Sequence, residues 1–202
     1  MSIYLTSDTH FNHGLTSDGY NPERNILAYC HDRGFPNTLQ GLLDMNETLI
    51  QNWNRVVRPT DTVIHAGDFA LGQKIHHPGI MARLNGYKII TRGNHDPSAP
   101  KLREFGWDEV HDQYFLEYQG ETLWVSHVPV ENSHDHVEGR ELRRPEATQP
   151  YTIAVCGHVH ETFLFALDGC LNVGVDKWDL TPVHIDSVIS VARSWKHGSI
   201  RG

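Results

Sequence analysis

The sequence predicts an α/β fold: a four-layer α-β-β-α sandwich in which two mixed β-sheets face each other and helices lie outside. Short apolar runs rich in β-branched residues alternate along the chain with polar motifs, helical patterns and turns, as in α/β proteins. Two turn signals between apolar runs predict β-hairpins, which add antiparallel strands to the sheets. A length of 202 residues fits one domain spanning residues 1–202.

Five apolar runs, each followed at once by polar residues, form the framework of this prediction. They are Ile3-Tyr4-Leu5, Thr62-Val63-Ile64, Lys88-Ile89-Ile90, Leu123-Trp124-Val125 and the segment from Tyr151 to Cys156. Runs of this length bounded by turn residues are typical of buried strands. Open α/β sheets assemble their sites from polar groups at the carboxyl ends of successive strands. We therefore expect the five polar motifs to meet in one site.

The clearest predicted helix runs from Leu42 to Val57, where apolar residues recur at helical spacing and Pro59 follows. Weaker patterns predict helices over Pro78–Leu84 and Lys101–Phe105, and a last helix capped by Asp186.

The two hairpins have Gly-containing turns. Gln119-Gly120 would join Tyr114–Tyr118 to Thr122–Val125. Asp168-Gly169 would join Phe163–Leu167 to Cys170–Val173, and Pro182–Ile185 would form a last strand.

Two segments have the composition of long loops. Asn12–Gln40 is rich in Gly, Pro, Asn, Asp and Ser, with a short helix near Asn25–Tyr29, and Pro129–Pro150 is highly charged. Long loops inside a compact domain tend to be functional, so we expect Asn12–Gln40 and Pro129–Arg144 to flank the site and set its specificity. The alternative is a solvated loop, which we prefer for the partial zinc motif His134-Asp135-His136 because the rest of that motif is missing.

Composition narrows the classes of partner. Lys and Arg number 17 against 25 Asp and Glu, a net charge of −8, which argues against stable wrapping of a nucleic-acid backbone. Fifteen His residues together with Asp suit a mixed nitrogen and oxygen metal site. Three scattered Cys give neither a disulfide framework nor a Cys zinc pattern. No run reaches membrane-spanning length, so we predict a cytoplasmic protein without a membrane partner.

Five motifs occur in a fixed order along the chain. They are Asp8-Thr9-His10, Gly67-Asp68, Gly93-Asn94-His95-Asp96, His127 and Gly157-His158-Val159-His160. This set resembles the D-x-H, G-D, G-N-H-D/E, H and G-H-x-H pattern of the calcineurin-like metallophosphoesterase family. The segments Ser7–His13 and Asn52-Trp53-Asn54 are similar to those of small single-domain bacterial or phage phosphoesterases.

The resemblance implies two divalent transition-metal ions that share Asp68. Metal one would be held by Asp8, His10, Asp68 and His160, and metal two by Asp68, Asn94, His127 and His158. Imidazoles combined with carboxylates and an amide favour Mn, with Fe, Zn or Ni as alternatives, over Mg. A water that bridges both ions would lose a proton near neutral pH and act as the nucleophile.

The resemblance also assigns catalytic and substrate-binding residues. His95 would lie beside the phosphate and protonate the leaving oxygen or stabilise developing charge. Asp96 would orient the His95 ring and raise its pKa. Arg92 would contact substrate or lie on the surface, and Asn12 and His13 would line the substrate entrance or only shape their loop.

The resulting hypothesis is a hydrolase of phosphate esters, preferably diesters, with nucleotide-derived or cyclic nucleotide diesters as small substrates. A phosphomonoesterase or protein phosphatase is the first alternative, although the chain is short for a protein substrate. A DNA nuclease would need an added capping domain. A non-catalytic scaffold of the same fold should lack metal ligands, whereas this chain has residues at every expected ligand position.

Overall fold

The computed structural model describes residues 1–16, 19–21, 29–72, 76–129, 136–137, 140–141, 146–162, 164–165 and 170–196. Within these ranges the protein has two mixed sheets flanked by helices, which confirms the predicted fold class. None of the described helices is both long and apolar enough to cross a membrane.

The strands follow the chain in this order: β1 (Ile3–Thr6), β2 (Leu15–Thr16), β3 (Gly19–Tyr20), β4 (Thr62–His65), β5 (Tyr87–Thr91), β6 (Glu109–His111), β7 (Tyr114–Tyr118), β8 (Glu121–Val125), β9 (His136–Val137), β10 (Arg140–Glu141), β11 (Ile153–Cys156), β12 (Cys170–Asn172) and β13 (Val183–His184). The helices are α1 (Tyr29–Asp32), α2 (Leu39–Val56), α3 (His77–Met81), α4 (Ala99–Phe105) and α5 (Ile185–Lys196).

The first sheet has the strand order β13-β1-β4-β5-β6. Strands β1, β4, β5 and β6 are parallel, and β13 pairs antiparallel with β1. The register places Leu5 beside Ile64 and Ile64 beside Ile89. Because parallel strands end at the same edge of a sheet, the residues after Thr6, His65 and Thr91 emerge together.

The second sheet has the order β12-β11-β8-β7, with β8, β11 and β12 parallel and β7 antiparallel to β8. The β7–β8 hairpin confirms the prediction for that segment. Its turn residues Gln119 and Gly120 have φ values of 50° and 79°. Two-residue hairpin turns that follow the strand twist require such left-handed backbone, which glycine adopts without strain.

Apolar side chains from both sheets fill the space between them. The first sheet contributes Leu5, Ile64 and Ile89, and helix α5 contributes Val188 and Ile189. The second sheet contributes Leu123, Val125, Ile153, Val155 and Leu171. This core fixes the relative position of the sheets and so of the strand ends that carry the polar motifs.

Helix α2 covers another apolar cluster on the first sheet. Thr38 caps its start, where the side-chain oxygen accepts the N–H of Gly41 at 3.1 Å. Its buried face includes Leu42, Met45, Leu49, Ile50 and Trp53, which pack in one cluster with Val63 and Ile90. The predicted helix is confirmed, and it begins three residues earlier because Thr38 provides the cap.

Other predicted elements differ in detail. Helix α5 begins at Ile185, so Asp186 lies in its first turn rather than at the cap, and His184 Nδ1 accepts the Asp186 N–H at 3.2 Å. Helix α1 begins at Tyr29, and the rest of the helix predicted near Asn25–Tyr29 lies outside the described residues. Much of the second predicted hairpin and of Pro129–Arg144, with the His134-Asp135 pair, also lies outside them.

Candidate metal centre

The turns after the strands hold five of the predicted metal ligands in left-handed backbone. The φ values are 55° for Asp8, 46° for His10, 58° for Asp68, 71° for His158 and 46° for His160. Non-glycine residues rarely adopt this conformation, which costs on the order of 1–2 kcal/mol each. The left-handed backbone breaks the regular alternation of side-chain direction that a strand has. As a result, His158 and His160 enter different groups of ligands.

The first group contains Asp8, His10 and His160, whose ligand atoms all lie within 4.8 Å of one another. Asp8 Oδ1 is 3.7 Å from His10 Nε2 and 3.9 Å from His160 Nε2. The Asp8 and His10 side chains are fully buried. A carboxylate and two imidazoles at these separations can converge on one cation.

The second group contains Asp68, His127 and His158, also within 4.8 Å. Asn94 joins it, with its Oδ1 at 2.9 Å from His127 Nε2 and 3.0 Å from His158 Nδ1. His127 Nδ1 donates to the backbone carbonyl of Ala66 at 2.8 Å, which leaves Nε2 facing the group.

Asp68 lies between the two groups. Its Oδ2 is 3.7 Å from His10 Nε2 in the first group and 3.3 Å from His127 Nε2 in the second. Its other oxygen, Oδ1, accepts the backbone N–H of His95 at 2.9 Å. One carboxylate oxygen is therefore directed toward both groups, as a shared ligand must be.

The electrostatics of the centre favour a cation. Burial raises the pKa of Asp8, but the neighbouring His10 and His160 rings outweigh it, and the net shift is downward. Burial likewise raises the pKa of Asp68, and the charge of His127 reverses the shift. Burial lowers the pKa of His127, but the charge of Asp68 raises it to about 10. Two buried carboxylates thus stay ionised.

The donor set fits two divalent transition-metal ions. Asp8 Oδ1 is buried and makes no hydrogen bond to any described residue, although a buried carboxylate oxygen normally has a partner. Imidazole nitrogens and carboxylate oxygens are the donors that Mn, Fe, Zn and Ni accept together. The residues of the two groups would hold the ions, with Asp68 common to both.

Glycines let the motif loops approach each other. A Cβ at Gly93 would lie 2.1 Å from Asp68 Oδ1, and one at Gly157 would lie 2.4 Å from Asp8 Oδ2. Real Cβ atoms do not approach this closely, so a side chain at either position would displace a ligand carboxylate. The glycines of the two motifs are thus required by the position of the ligands.

The structure corrects the predicted role of Asp96. Its Oδ2 accepts the backbone N–H groups of Asp68 and Gly93, both at 2.8 Å, and its Oδ1 accepts that of Phe69 at 3.1 Å. Both oxygens therefore bind backbone N–H groups of the Asp68 and Gly93 turns rather than the His95 ring. Burial, followed by the charge of Asp68, raises the pKa of Asp96 to about 6. Asp96 holds the turn that presents Asp68.

His95 and His13 lie beside the first group without belonging to either group. Their rings are each centred 5.6 Å from the His10 ring. The pKa of His13 falls to about 3, mainly because the ring is buried. Both rings therefore adjoin the position at which metal one would bind.

The other two residues assigned to substrate differ in placement. Asn12 is 4% exposed, and its Oδ1 accepts a hydrogen bond from Asn46 Nδ2 at 2.8 Å, so it ties the first loop to helix α2. Arg92 pairs with Asp112, and its side chain is 37% exposed. This placement favours the surface alternative for Arg92.

Sequence reasoning missed three residues that support the centre. Arg33 and Asp176 form a buried ion pair next to His160. His65 contacts the turns that carry Asp8 and Asp68. Asp176 follows strand β12, so the strand-end rule that found the other motifs could have indicated it. Arg33 stands in an irregular segment without any pattern in the sequence that marks it as buried.

His65 links the first two motif turns through its ring. Its Nδ1 accepts the N–H of Gly67 at 3.1 Å, and its Nε2 lies 3.1 Å from Thr9 Oγ1. The hydroxyl of Thr9 donates to the carbonyl of Phe69 at 2.7 Å. Because Nδ1 accepts, the neutral ring carries its proton on Nε2. Burial is the main cause that lowers the pKa of His65 from 6.5 to about 3.

We expect this histidine to make the protein sensitive to acid. Between pH 6.5 and 3 the unfolded chain protonates His65 and the folded protein does not, so stability falls with falling pH by up to about 1.4 kcal/mol per pH unit. Denaturant unfolding with chelator present should show a shallower pH dependence for His65→Asn, which keeps an acceptor near Gly67. His31→Asn, at a side chain 81% exposed, is the control. Identical pH slopes in the parent and His65→Asn would contradict the assignment.

Known proteins are similar to this chain over most of its length. The model of the calcineurin-like phosphoesterase superfamily domain matches residues 1–177. An uncharacterized protein of Methanocaldococcus jannaschii, MJ1445, is 30% identical over 202 residues, covering 96% of this chain and 93% of that one.

Two solved structures match this chain over most of its length. AQ665 from Aquifex aeolicus, a protein of unknown function, has a TM-score of 0.66 at 23% identity, covering 94% of this chain and 98% of that one. An archaeal phosphodiesterase has a TM-score of 0.42 at 19% identity, covering 86% and 82%. The family model spans most of the chain, so the protein belongs to the calcineurin-like phosphoesterase superfamily.

Proposed function

We propose that this protein is a two-metal hydrolase of small phosphodiesters, with nucleotide-derived diesters as its substrate class and Mn as its preferred ion. The observation that carries the proposal is the position of Asp68 Oδ2, 3.7 Å from His10 Nε2 and 3.3 Å from His127 Nε2. Two bound ions would supply an activated water and neutralise charge on the phosphate oxygens. Such a pair needs a shared carboxylate of this kind.

The side chains around the two groups would supply a proton donor and contacts to the substrate. The His95 backbone N–H binds Asp68 Oδ1, which fixes the His95 backbone relative to the ligands. The His95 ring, 5.6 Å from that of His10, would donate its proton to the leaving oxygen of the ester. His13 and Asn12 shape the loop on the same side, where His13 would contact a phosphate oxygen or the group beyond it.

The proposed role of His95 suits esters that release an alkoxide. An alkoxide leaving group such as a ribose oxygen requires an acid, and His95 would be that acid. The net charge of −8 favours small phosphate esters over a nucleic-acid polymer, since a polymer needs an extended basic surface. Both groups of ligands are present in full, which opposes a non-catalytic scaffold.

A turnover panel tests the proposal. We expect the metal-stripped protein to be inactive, Mn²⁺ to restore turnover, and nitrophenyl or cyclic nucleotide diesters to be hydrolysed at higher kcat/KM than nitrophenyl phosphate. His10→Ala, prepared in the same way, controls for contaminating phosphatases. Full activity after chelation would contradict the metal centre, whereas a higher kcat/KM for monoesters would show a phosphomonoesterase built on the same centre.

A further inference from the structure

Arg33 is a buried cation whose hydrogen-bonding capacity is fully used. Its side chain is 1% exposed. Nε donates to Asp176 Oδ1 at 2.7 Å, and Nη2 donates to Asp176 Oδ2 at 3.1 Å and to the carbonyl of Asp8 at 2.6 Å. Nη1 donates to the carbonyl of Thr9 at 3.0 Å and contacts Met45 Sδ at 3.9 Å. These contacts account for all five guanidinium N–H groups.

Arg33 differs from arginines that bind phosphate, because all of its N–H groups already have partners in the protein. A guanidinium that binds a substrate phosphate must offer N–H groups to it. Here those groups are directed to Asp176 and to the backbone of the Asp8 turn, so a substrate would have to break existing buried hydrogen bonds. Arg33 therefore supports the centre without contacting the substrate.

Asp176 connects Arg33 to a metal ligand. Its Oδ2 lies 3.0 Å from His160 Nδ1, while both of its oxygens bind Arg33. The bidentate ion pair with the permanently charged Arg33 keeps this carboxylate ionised. An ionised carboxylate only accepts hydrogen bonds, so His160 Nδ1 must be the donor.

The tautomer of His160 follows from this contact. With the proton on Nδ1, the lone pair of the neutral ring lies on Nε2, the nitrogen 3.9 Å from Asp8 Oδ1. A carboxylate behind a ligand histidine fixes the ring orientation and raises its basicity toward a metal. Arg33 also binds the carbonyl of Asp8, so the same cation holds the backbone of the first ligand.

The second group of ligands is supported differently. His127 Nδ1 donates to the neutral backbone carbonyl of Ala66 at 2.8 Å, not to a carboxylate. Arg33 and Asp176 instead bind His160 and the backbone of the Asp8 turn, which belong to the first group. A change in the Arg33–Asp176 pair should consequently affect one ion more than the other.

We propose that the Arg33–Asp176 pair positions His160 and the Asp8 turn, and thereby sets the affinity of the Asp8–His10–His160 group for its cation. This inference rests on the two-metal centre of the proposed function but not on its substrate. The two residues are positioning residues, since they act through His160 and Asp8.

Binding of Mn²⁺ to the full chain tests this inference, with equilibrium dialysis, elemental analysis and electron paramagnetic resonance as readouts. We expect Arg33→Lys and Asp176→Asn each to weaken one of two bound ions by about 10–100-fold and to leave the other near the parent affinity. At intermediate Mn²⁺ the spin-coupled signal of a pair should give way to that of single ions. Asp176→Glu, which keeps the charge, should recover part of the lost affinity.

Arg83→Met is the matched control, because Arg83 forms an exposed ion pair with Glu47. This variant should bind both ions as the parent does. Thermal unfolding of the metal-free variants establishes that each is folded. If Asp176→Asn does not fold, Arg33→Lys and Asp176→Glu carry the test.

Unchanged binding of both ions, or equal weakening of both, would overturn the inference while the two-metal centre stands. A parent protein that binds no Mn²⁺, Fe²⁺, Zn²⁺ or Ni²⁺ would instead overturn the proposed function, and this inference with it.

Discussion

Asp68→Ala is expected to reduce turnover to the level of the metal-stripped protein and to lower the content of both ions. The reason is that Asp68 Oδ2 lies between the two groups of ligands, 3.7 Å from His10 Nε2 and 3.3 Å from His127 Nε2. Its loss also removes one of two ionised carboxylates that favour a cation in the buried centre. Elemental analysis of the dialysed variant measures the ion content directly.

Two further variants separate the shared ligand from other effects. Alanine at φ 58° adds backbone strain that asparagine tolerates better, so Asp68→Asn removes the charge with less distortion. We expect Asp68→Asn to lose activity nearly as fully as Asp68→Ala. His10→Ala should weaken mainly the ion of the first group. Two tightly bound ions in Asp68→Ala would show that Asp68 is not the shared ligand.

Much of the site could be predicted because each ligand follows a strand. Parallel strands β1, β4 and β5 end at one edge, so Asp8, Asp68 and Asn94 emerge together whatever the details of the turns. His127 and His158 follow β8 and β11, which are parallel neighbours in the second sheet. Apolar periodicity fixes these strands, and the order of the motifs then fixes the site.

The remaining features depend on contacts between residues distant in the sequence. Arg33 and Asp176 are separated by 143 positions, and nothing near either residue indicates the other. Asp96 stands next to His95, which suggested a contact with that ring, but its carboxylate is used by three backbone N–H groups. Buried N–H groups need partners, and this requirement outweighed adjacency in sequence.

The strained backbone also could not be predicted from residue type. Asp and His are not glycine, yet five of the ligands adopt left-handed conformations that glycine would adopt more easily. Each position keeps a ligand atom at a cost in backbone energy, which is the pattern expected where function and stability conflict. The hydrogen bonds of Asp96, His65 and Arg33 to the turns help to offset that cost.

His95→Ala and His95→Asn are expected to retain both ions while turnover falls by roughly 10²–10⁴-fold, the contribution typical of a general acid. His95 belongs to neither group of ligands, and its backbone N–H, which binds Asp68 Oδ1, survives both substitutions. The ligand geometry should therefore persist while the ring is lost. His111→Asn is the control, since His111 pairs with Glu109 and belongs to neither group of ligands.

The dependence on leaving group identifies what the His95 ring does. A general acid matters most for a poor leaving group, so the loss should be larger for diesters that release a ribose hydroxyl than for those that release nitrophenol, which leaves without a proton. An equal loss across leaving groups would indicate that the ring stabilises charge on the phosphate instead. Parent rates with both ions bound would remove His95 from the reaction, and the proton would then have to come from another group beside the first ion.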